Sequence, residues 1–106
     1  MQKHNLKNFT RGWFIGNFLP SVLRTPNFEV GVLSHSKGEL WPAHYQRLAT
    51  EYNLLLSGSL SINGEIILVG EIFIVEPKEV AKPIFHEDCK VLCIKVPSIP
   101  HDKYEI

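Results

Sequence analysis

Three side chains able to hold a metal ion or a polar ligand fall within the stretch HYQRLATE: His44, Gln46 and Glu51. Residues i and i+2 of an extended strand point to the same face, so His44 and Gln46 share a face while Tyr45 takes the other. The intervening RLAT is long enough to turn the chain, and Glu51 then opens the next strand and can point back toward the pair. If that face lines a barrel interior, three polar groups converge in apolar surroundings. Such a cluster is costly unless its members bond one another, water or a metal. Two chemistries stay open. In one, the three hold a divalent ion completed by waters. In the other, the pocket is metal-free, Glu51 or Gln46 accepts a hydrogen bond from His44 or Tyr45, and the cluster orients a small ligand. An enzyme moving a proton beside a carbonyl needs an acid and a base, and His44 and Glu51 could serve as that pair, although nothing in the sequence shows a substrate.

The other candidates are weaker. His4, His35 and His101 lie in polar or turn-rich surroundings and read as surface residues. Lys95 shares strand parity with Cys89, Val91 and Cys93. Facing inward, its amine would meet an anionic ligand at a cavity mouth; burial statistics favour the outward orientation. Trp13, Phe14 and Phe18 cluster near the N-terminus, and Trp41 precedes Pro42. Such aromatics stack on sugar rings, plug barrel ends or form dimer contacts. Cys89 and Cys93 on one extended strand would lie about 13 Å apart, too far for a disulfide, and read as free thiols of a reducing compartment. No phosphate-binding glycine loop, nucleophile elbow or dinucleotide fingerprint is present.

The elements that must position these residues are strands. No sustained helical periodicity runs through the chain. Short β-rich runs alternate with turn residues: WFIGNF, FEVGVLSHS, EYNLLLSGSLSI, EIILV, EIFIVEP, EVAKPIF and CKVLCIKVPS. Asn63-Gly64 between LSI and EIILV is a strong hairpin signal, and HED makes the turn before the last long run, with His86 in it. Pro42, Pro77, Pro83, Pro97 and Pro100 fall at strand edges or connections. The pattern predicts an all-β sandwich or barrel. The final PSIPHDKYEI reads as a tail whose Tyr104 and Ile106 can pack on the barrel or on a partner.

The chain has 106 residues, suited to one domain, and 11 basic against 11 acidic residues give zero formal charge. That leaves no electrostatic footprint for nucleic acid or an anionic membrane, and little repulsion against self-association. No run approaches a membrane span, and MQKHNLKNFTRGWF has no signal-type apolar core, so a cytoplasmic protein is expected.

The order His-x-Gln-x4-Glu-x6-Gly, from His44 to Gly58, resembles the first motif of the cupin superfamily, usually His-x-His, three or four residues, Glu, six residues, Gly. The stretch GEIFIVEPKEVAKP from Gly70 is similar to the start of the second motif, roughly Gly, five residues, Pro-x-Gly, then a histidine. The ending KVPSIPHDKYEI is similar to that of small bacterial and phage cupins of unassigned function. The resemblance spans roughly residues 30 to 97. It implies a small single-domain cupin over 1–106: an RmlC-like double-stranded β-helix, or jelly-roll barrel, that pairs as a homodimer through sheet edges and N-terminal arms. It implies a zinc, nickel, manganese or iron ion held by the first-motif histidines and glutamate and the second-motif histidine. The function it implies is binding of a small polar, sugar-related ligand, or a metal-dependent sugar isomerase, epimerase or oxygenase. The chain departs from the pattern at Gln46, in place of the second histidine; near Ala81 or Lys82, where the fourth ligand would fall; and near Lys78 or Glu79, where the glycine would fall. An amide oxygen ligates weakly beside imidazole, a cationic Lys82 would repel a divalent ion, and His86 lies too far along to take the vacant place.

Overall fold

Alternating β-branched and polar residues between glycine and proline punctuation give strands with one buried face. The computed structural model describes residues 1–105, which form eleven strands: β1 Trp13–Gly16, β2 Leu23–Arg24, β3 Glu29–His35, β4 His44–Gln46, β5 Thr50–Ser57, β6 Leu60–Ile62, β7 Glu65–Ile67, β8 Ile72–Val75, β9 Pro83–Phe85, β10 Cys89–Val96 and β11 Lys103–Glu105. The helical content is two single 3-10 turns, Leu6–Asn8 and Thr10–Gly12. Among the described residues no helix is long and apolar enough to cross a membrane.

One sheet runs β2-β1-β3-β10-β5-β8. Facing it are two smaller ladders, β7-β6-β9 and β11-β4. A bridge between His44 and Ala81 ties β4 to the segment leading into β9, through paired backbone bonds of 3.1 and 2.7 Å. The core forms where the layers meet: Leu55, Cys89 and Val91 of the large sheet pack on Leu60, Ile67 and Phe85 of the small one. The all-β jelly-roll expectation holds, with the qualification that the ladders do not join into one closed barrel.

Register fixes what faces inward. Across β3, β10, β5 and β8 the inner rows read Glu29–Lys95–Glu51–Val75 and Gly31–Cys93–Asn53–Phe73. The outer rows read Val30–Ile94–Tyr52–Ile74 and Val32–Leu92–Leu54–Ile72. Lys95 is therefore inward, against the burial statistics, because its neighbours in the row are also charged. Gly31 leaves room for an aromatic lid: a Cβ there would lie 2.7 Å from the Trp13 ring.

The Asn63-Gly64 turn behaves as expected, with φ of 52° and 83°, the pair of positive values a type I′ hairpin needs. Asn63 also anchors the opposite segment, its amide donating to the Val80 carbonyl at 2.9 Å and accepting from the Lys82 N–H at 2.8 Å. The C-terminal residues are not a loose tail. Lys103, Tyr104 and Glu105 pair antiparallel with Gln46, Tyr45 and His44, and Tyr104 stacks on Tyr45 at 5.4 Å. Ile106, also expected to pack, lies outside the described residues. Buried Asp102 accepts the N–H groups of Leu48 and Ala49 at 2.9 to 3.2 Å and so holds the turn between β4 and β5.

The glycine of the first motif has a structural reason. Gly58 has φ +89°, and a Cβ there would lie 2.1 Å from the Asp88 carbonyl oxygen. Gly58→Ala must adopt a disfavoured backbone and push the β9–β10 connection away. We expect a loss of about 2 kcal/mol or more in urea unfolding, with an unchanged m value.

Candidate functional site

The large sheet and the two smaller ladders line a cavity of about 480 Å³. Its deep end is apolar, formed by Leu60, Phe73, Phe85 and Val91; its other end carries His44, Gln46, Glu51, Asn53 and Lys95. All three residues singled out by the motif thus reach one space. β4 presents His44 and Gln46 inward, both buried, and Tyr45 outward onto β11. Glu51 comes from the start of β5, after the turn that Asp102 holds.

The bonding inside the cluster differs from the expected one. Gln46 Nε2 donates to Glu51 Oε2 at 2.8 Å. A carboxylate only accepts, so this contact fixes the amide orientation and turns Gln46 Oε1 the other way. That oxygen is buried and has no hydrogen-bond partner, and neither has Asn53 Nδ2. His44 bonds neither Glu51 nor Tyr45. Its Nδ1 lies 3.2 Å from the Pro42 carbonyl, which can only accept, so Nδ1 carries the proton and Nε2 keeps its lone pair. Burial pushes the His44 pKa down; the Pro42 carbonyl and Glu51 oppose the shift, while Lys103 and Lys95 add to it. The ring is neutral near pH 7.

Around this cluster stand groups that the sequence placed elsewhere. Lys95 lies over the Trp13 ring at 5.1 Å and Lys103 over the Trp41 ring at 3.7 Å. Lys82, feared as a repulsive neighbour, is exposed and outside the cavity lining. His35 is not a surface histidine. It stacks on Phe85 at 4.2 Å, packs edge-on to Trp41, and lines the cavity. Its Nδ1 meets Glu39 Oε2 at 2.7 Å, and the same oxygen accepts the Trp41 indole N–H. These bonds hold the Glu39 carboxyl below its ordinary pKa, the one to His35 most. The signal for His35 was parity: it stands opposite Cys89, in phase with Leu33 and Gly31. Trp13, Phe18 and Trp41 of the expected aromatic set line the cavity, and Phe14 does not. His86 sits in the turn before β10 as expected, bonded to Ser61 Oγ at 3.1 Å. Cys89 and Cys93 are free and buried, and burial raises both thiol pKa values, keeping them protonated and unreactive.

Glu29 completes the charged row. Burial raises its pKa, partly offset by Lys95 and by the Ser98 hydroxyl, which donates to its Oε1 at 3.2 Å. The donor set does not match a resident divalent ion. Gln46 points its N–H group at the carboxylate that would share the metal. Ala81, across from His44, offers no side-chain donor, and two ammonium groups flank the space. Among the described residues no three of His, Cys, Asp and Glu gather as metal ligands.

No protein-family model matches the chain, and no curated protein does. Solved structures do. The DMSP lyase DddQ from Ruegeria pomeroyi DSS-3 superposes with a TM-score of 0.73 at 13% identity, over 88% of this chain and 49% of that one; this chain thus spans about half of the lyase. An uncharacterized protein with a double-stranded β-helix domain from Klebsiella pneumoniae superposes with a TM-score of 0.70 at 18% identity, over 98% and 90% of the two chains. An RmlC-like cupin protein from Ralstonia eutropha gives 0.61 at 14% identity, over 77% and 57%. Identities this low speak for the fold alone, and with the large sheet facing two smaller ladders they show that the chain has the RmlC-like cupin fold, a double-stranded β-helix.

Proposed function

We propose that this chain is a binding module that holds a small polar molecule in the cavity, without a resident metal, with His44, Gln46 and Glu51 as its recognition edge. One observation carries this reading. Gln46 Oε1 and Asn53 Nδ2 are buried without partners and line the same cavity. A polar group left so costs about 1–3 kcal/mol, and a ligand offering a donor and an acceptor offsets that cost. The second reading is a metal-dependent isomerase, epimerase or oxygenase. What favours it is the neutral His44 ring beside Glu51; what opposes it is the missing ligand set. Buried free thiols suit a reducing compartment, and we place the protein in the cytoplasm.

We further propose that a second copy covers the outer face of the large sheet. Ile72, Ile74, Tyr52 and Leu56 there are 68%, 49%, 42% and 43% exposed. With Leu92, Ile94, Val30 and Val32 they form an apolar surface in continuous register. The face spans four strands, and zero net charge opposes no self-pairing. Sedimentation velocity should give a dimer, and Ile72→Glu with Ile74→Lys should give a folded monomer. A monomeric wild type at high concentration rejects the pairing.

Three outcomes test the site. Gln46→His places a second imidazole beside His44 and should raise nickel or zinc affinity about tenfold, with His44→Ala abolishing the gain. Equal affinity in wild type and Gln46→His would mean that Gln46 already ligates or lies outside the site. Calorimetric screening of small polyols, sugars and hydroxy acids should find a binder that Gln46→Ala or Asn53→Leu weakens tenfold or more; binding unmoved by both sinks the reading. A ligand hydroxyl donating to His44 Nε2 requires the neutral ring. Because the folded pKa lies below the ordinary 6.5, affinity should hold at pH 7 and fall as pH drops through that lowered value. The drop should vanish in His44→Gln. The same shift makes the stability contribution of His44 present above pH 6.5 and lost on acidification, since the unfolded chain takes the proton first.

A further inference from the structure

The least expected feature of the cavity is its cations. Lys95 projects from β10 between Glu29 on β3 and Glu51 on β5. Lys103 enters from β11 opposite Gln46. The chain has as many acidic as basic residues. Yet among the described residues the one ion pair within 4 Å is His35 with Glu39, and neither ammonium is part of it. Each rests instead on an indole, Lys95 over Trp13 and Lys103 over Trp41. Such contacts are worth about 0.5–2 kcal/mol and neutralise no charge. Arg11 also lines the cavity; burial first, then Lys95 and Arg11, push the Lys103 pKa down, while Glu51 opposes the shift. Three cations thus line one cavity, Lys95 half-buried and Lys103 and Arg11 more open to solvent.

The facing carboxylates keep their charge and act on the ammonium groups at longer range, but among the described residues none pairs with either within 4 Å and each is engaged elsewhere. Glu51 is engaged by the Gln46 amide. Both Asp102 oxygens accept backbone N–H groups. Glu29 is bonded to Ser98 and favours its neutral form more than an ordinary glutamate does. An independent observation points to the same occupant. Asn53 Nδ2 is a buried donor in want of an acceptor, while Gln46 Oε1 is a buried acceptor in want of a donor, on residues each 3% exposed.

Resting on the binding-module reading, we propose that the cavity takes a hydroxylated organic anion. Its carboxylate or phosphate sits between Lys95 and Lys103, and its hydroxyls reach Gln46 and His44. Binding draws the ammonium groups off the indoles. Trp13 and Trp41 are the only two tryptophans of the chain, so emission reports this movement directly.

The test is tryptophan fluorescence with calorimetry on the full chain at pH 7, using D-gluconate, glucose 6-phosphate, inorganic phosphate and glucose as probes. The expected result is that an organic anion binds at least tenfold tighter than glucose, shifts the emission, and weakens with added salt. Gluconate as the better probe assigns the anion as a carboxylate, and glucose 6-phosphate as a phosphate. Lys95→Gln and Lys103→Gln should each cost tenfold or more, and Gln46→Ala should weaken the organic anions but not inorganic phosphate. Glucose binding as tightly as the anions, unmoved by either lysine substitution, overturns the anion and leaves the small-polar-ligand reading standing. Inorganic phosphate binding as tightly as glucose 6-phosphate overturns the role of the hydroxyls. No probe binding to protein that keeps its native near-UV circular dichroism overturns both readings together.

Discussion

The placement of β10 between β3 and β5 is the constraint on which the rest depends. Its register sets Lys95 between Glu29 and Glu51, and Cys93 between Gly31 and Asn53. Because side-chain period is two, a slip of one residue would turn Lys95 to solvent and push Ile94 and Leu92 into the cavity. The apolar rows hold that register. Val91 and Leu55 are in the core and in phase with the charged row, so the hydrophobic effect fixes the strand and the polar residues follow. Cys93, small and buried, keeps this sheet close-packed beneath the polar end.

The opposite wall depends on a different device. β4 is three residues long and could not stay in place alone. It is held on one side by the bridge to Ala81 and on the other by β11. Asp102, just before β11, ties down the turn that carries Ala49 and leads to Glu51. Geometry among His44, Gln46 and Glu51 is therefore a consequence of the C-terminal segment. The same segment delivers Lys103, so the strand that braces the site also contributes charge to it.

Much of this was legible in the sequence. The strands, the Asn63-Gly64 turn and the convergence of His44, Gln46 and Glu51 follow from local pattern, because period-two alternation and turn chemistry are short-range signals. What escaped were properties set by pairing between distant strands. Lys95 was assigned outward because isolated lysines prefer water, a preference overridden by a row with carboxylates on both sides. His35 reads as a surface residue at the polar end of FEVGVLSHS, but β3 runs on through it and lays it against Phe85. PSIPHDKYEI had the look of a tail, since a three-residue edge strand carries almost no pattern of its own; its partner, β4, defines it. Lys82 was misplaced for the mirror reason, as Asn63 fixes that backbone so that the side chain faces solvent.

The departures from the metal motif are physically coupled. A divalent ion beside His44 and Glu51 would face the ammonium groups of Lys95 and Lys103. Like charges repel, so each would oppose the ion, Lys103 less than Lys95 because it is more open to solvent. Losing one imidazole ligand would compound that cost. Glutamine resolves the conflict, because its N–H group gives Glu51 the positive partner that the metal would have supplied, without a net charge. Ala81, bridged to His44, then offers no side-chain lone pair to an ion. The lysines, the glutamine and the alanine make one consistent set, in which the carboxylate is held by an amide and the positive charge of the cavity is fixed to the chain.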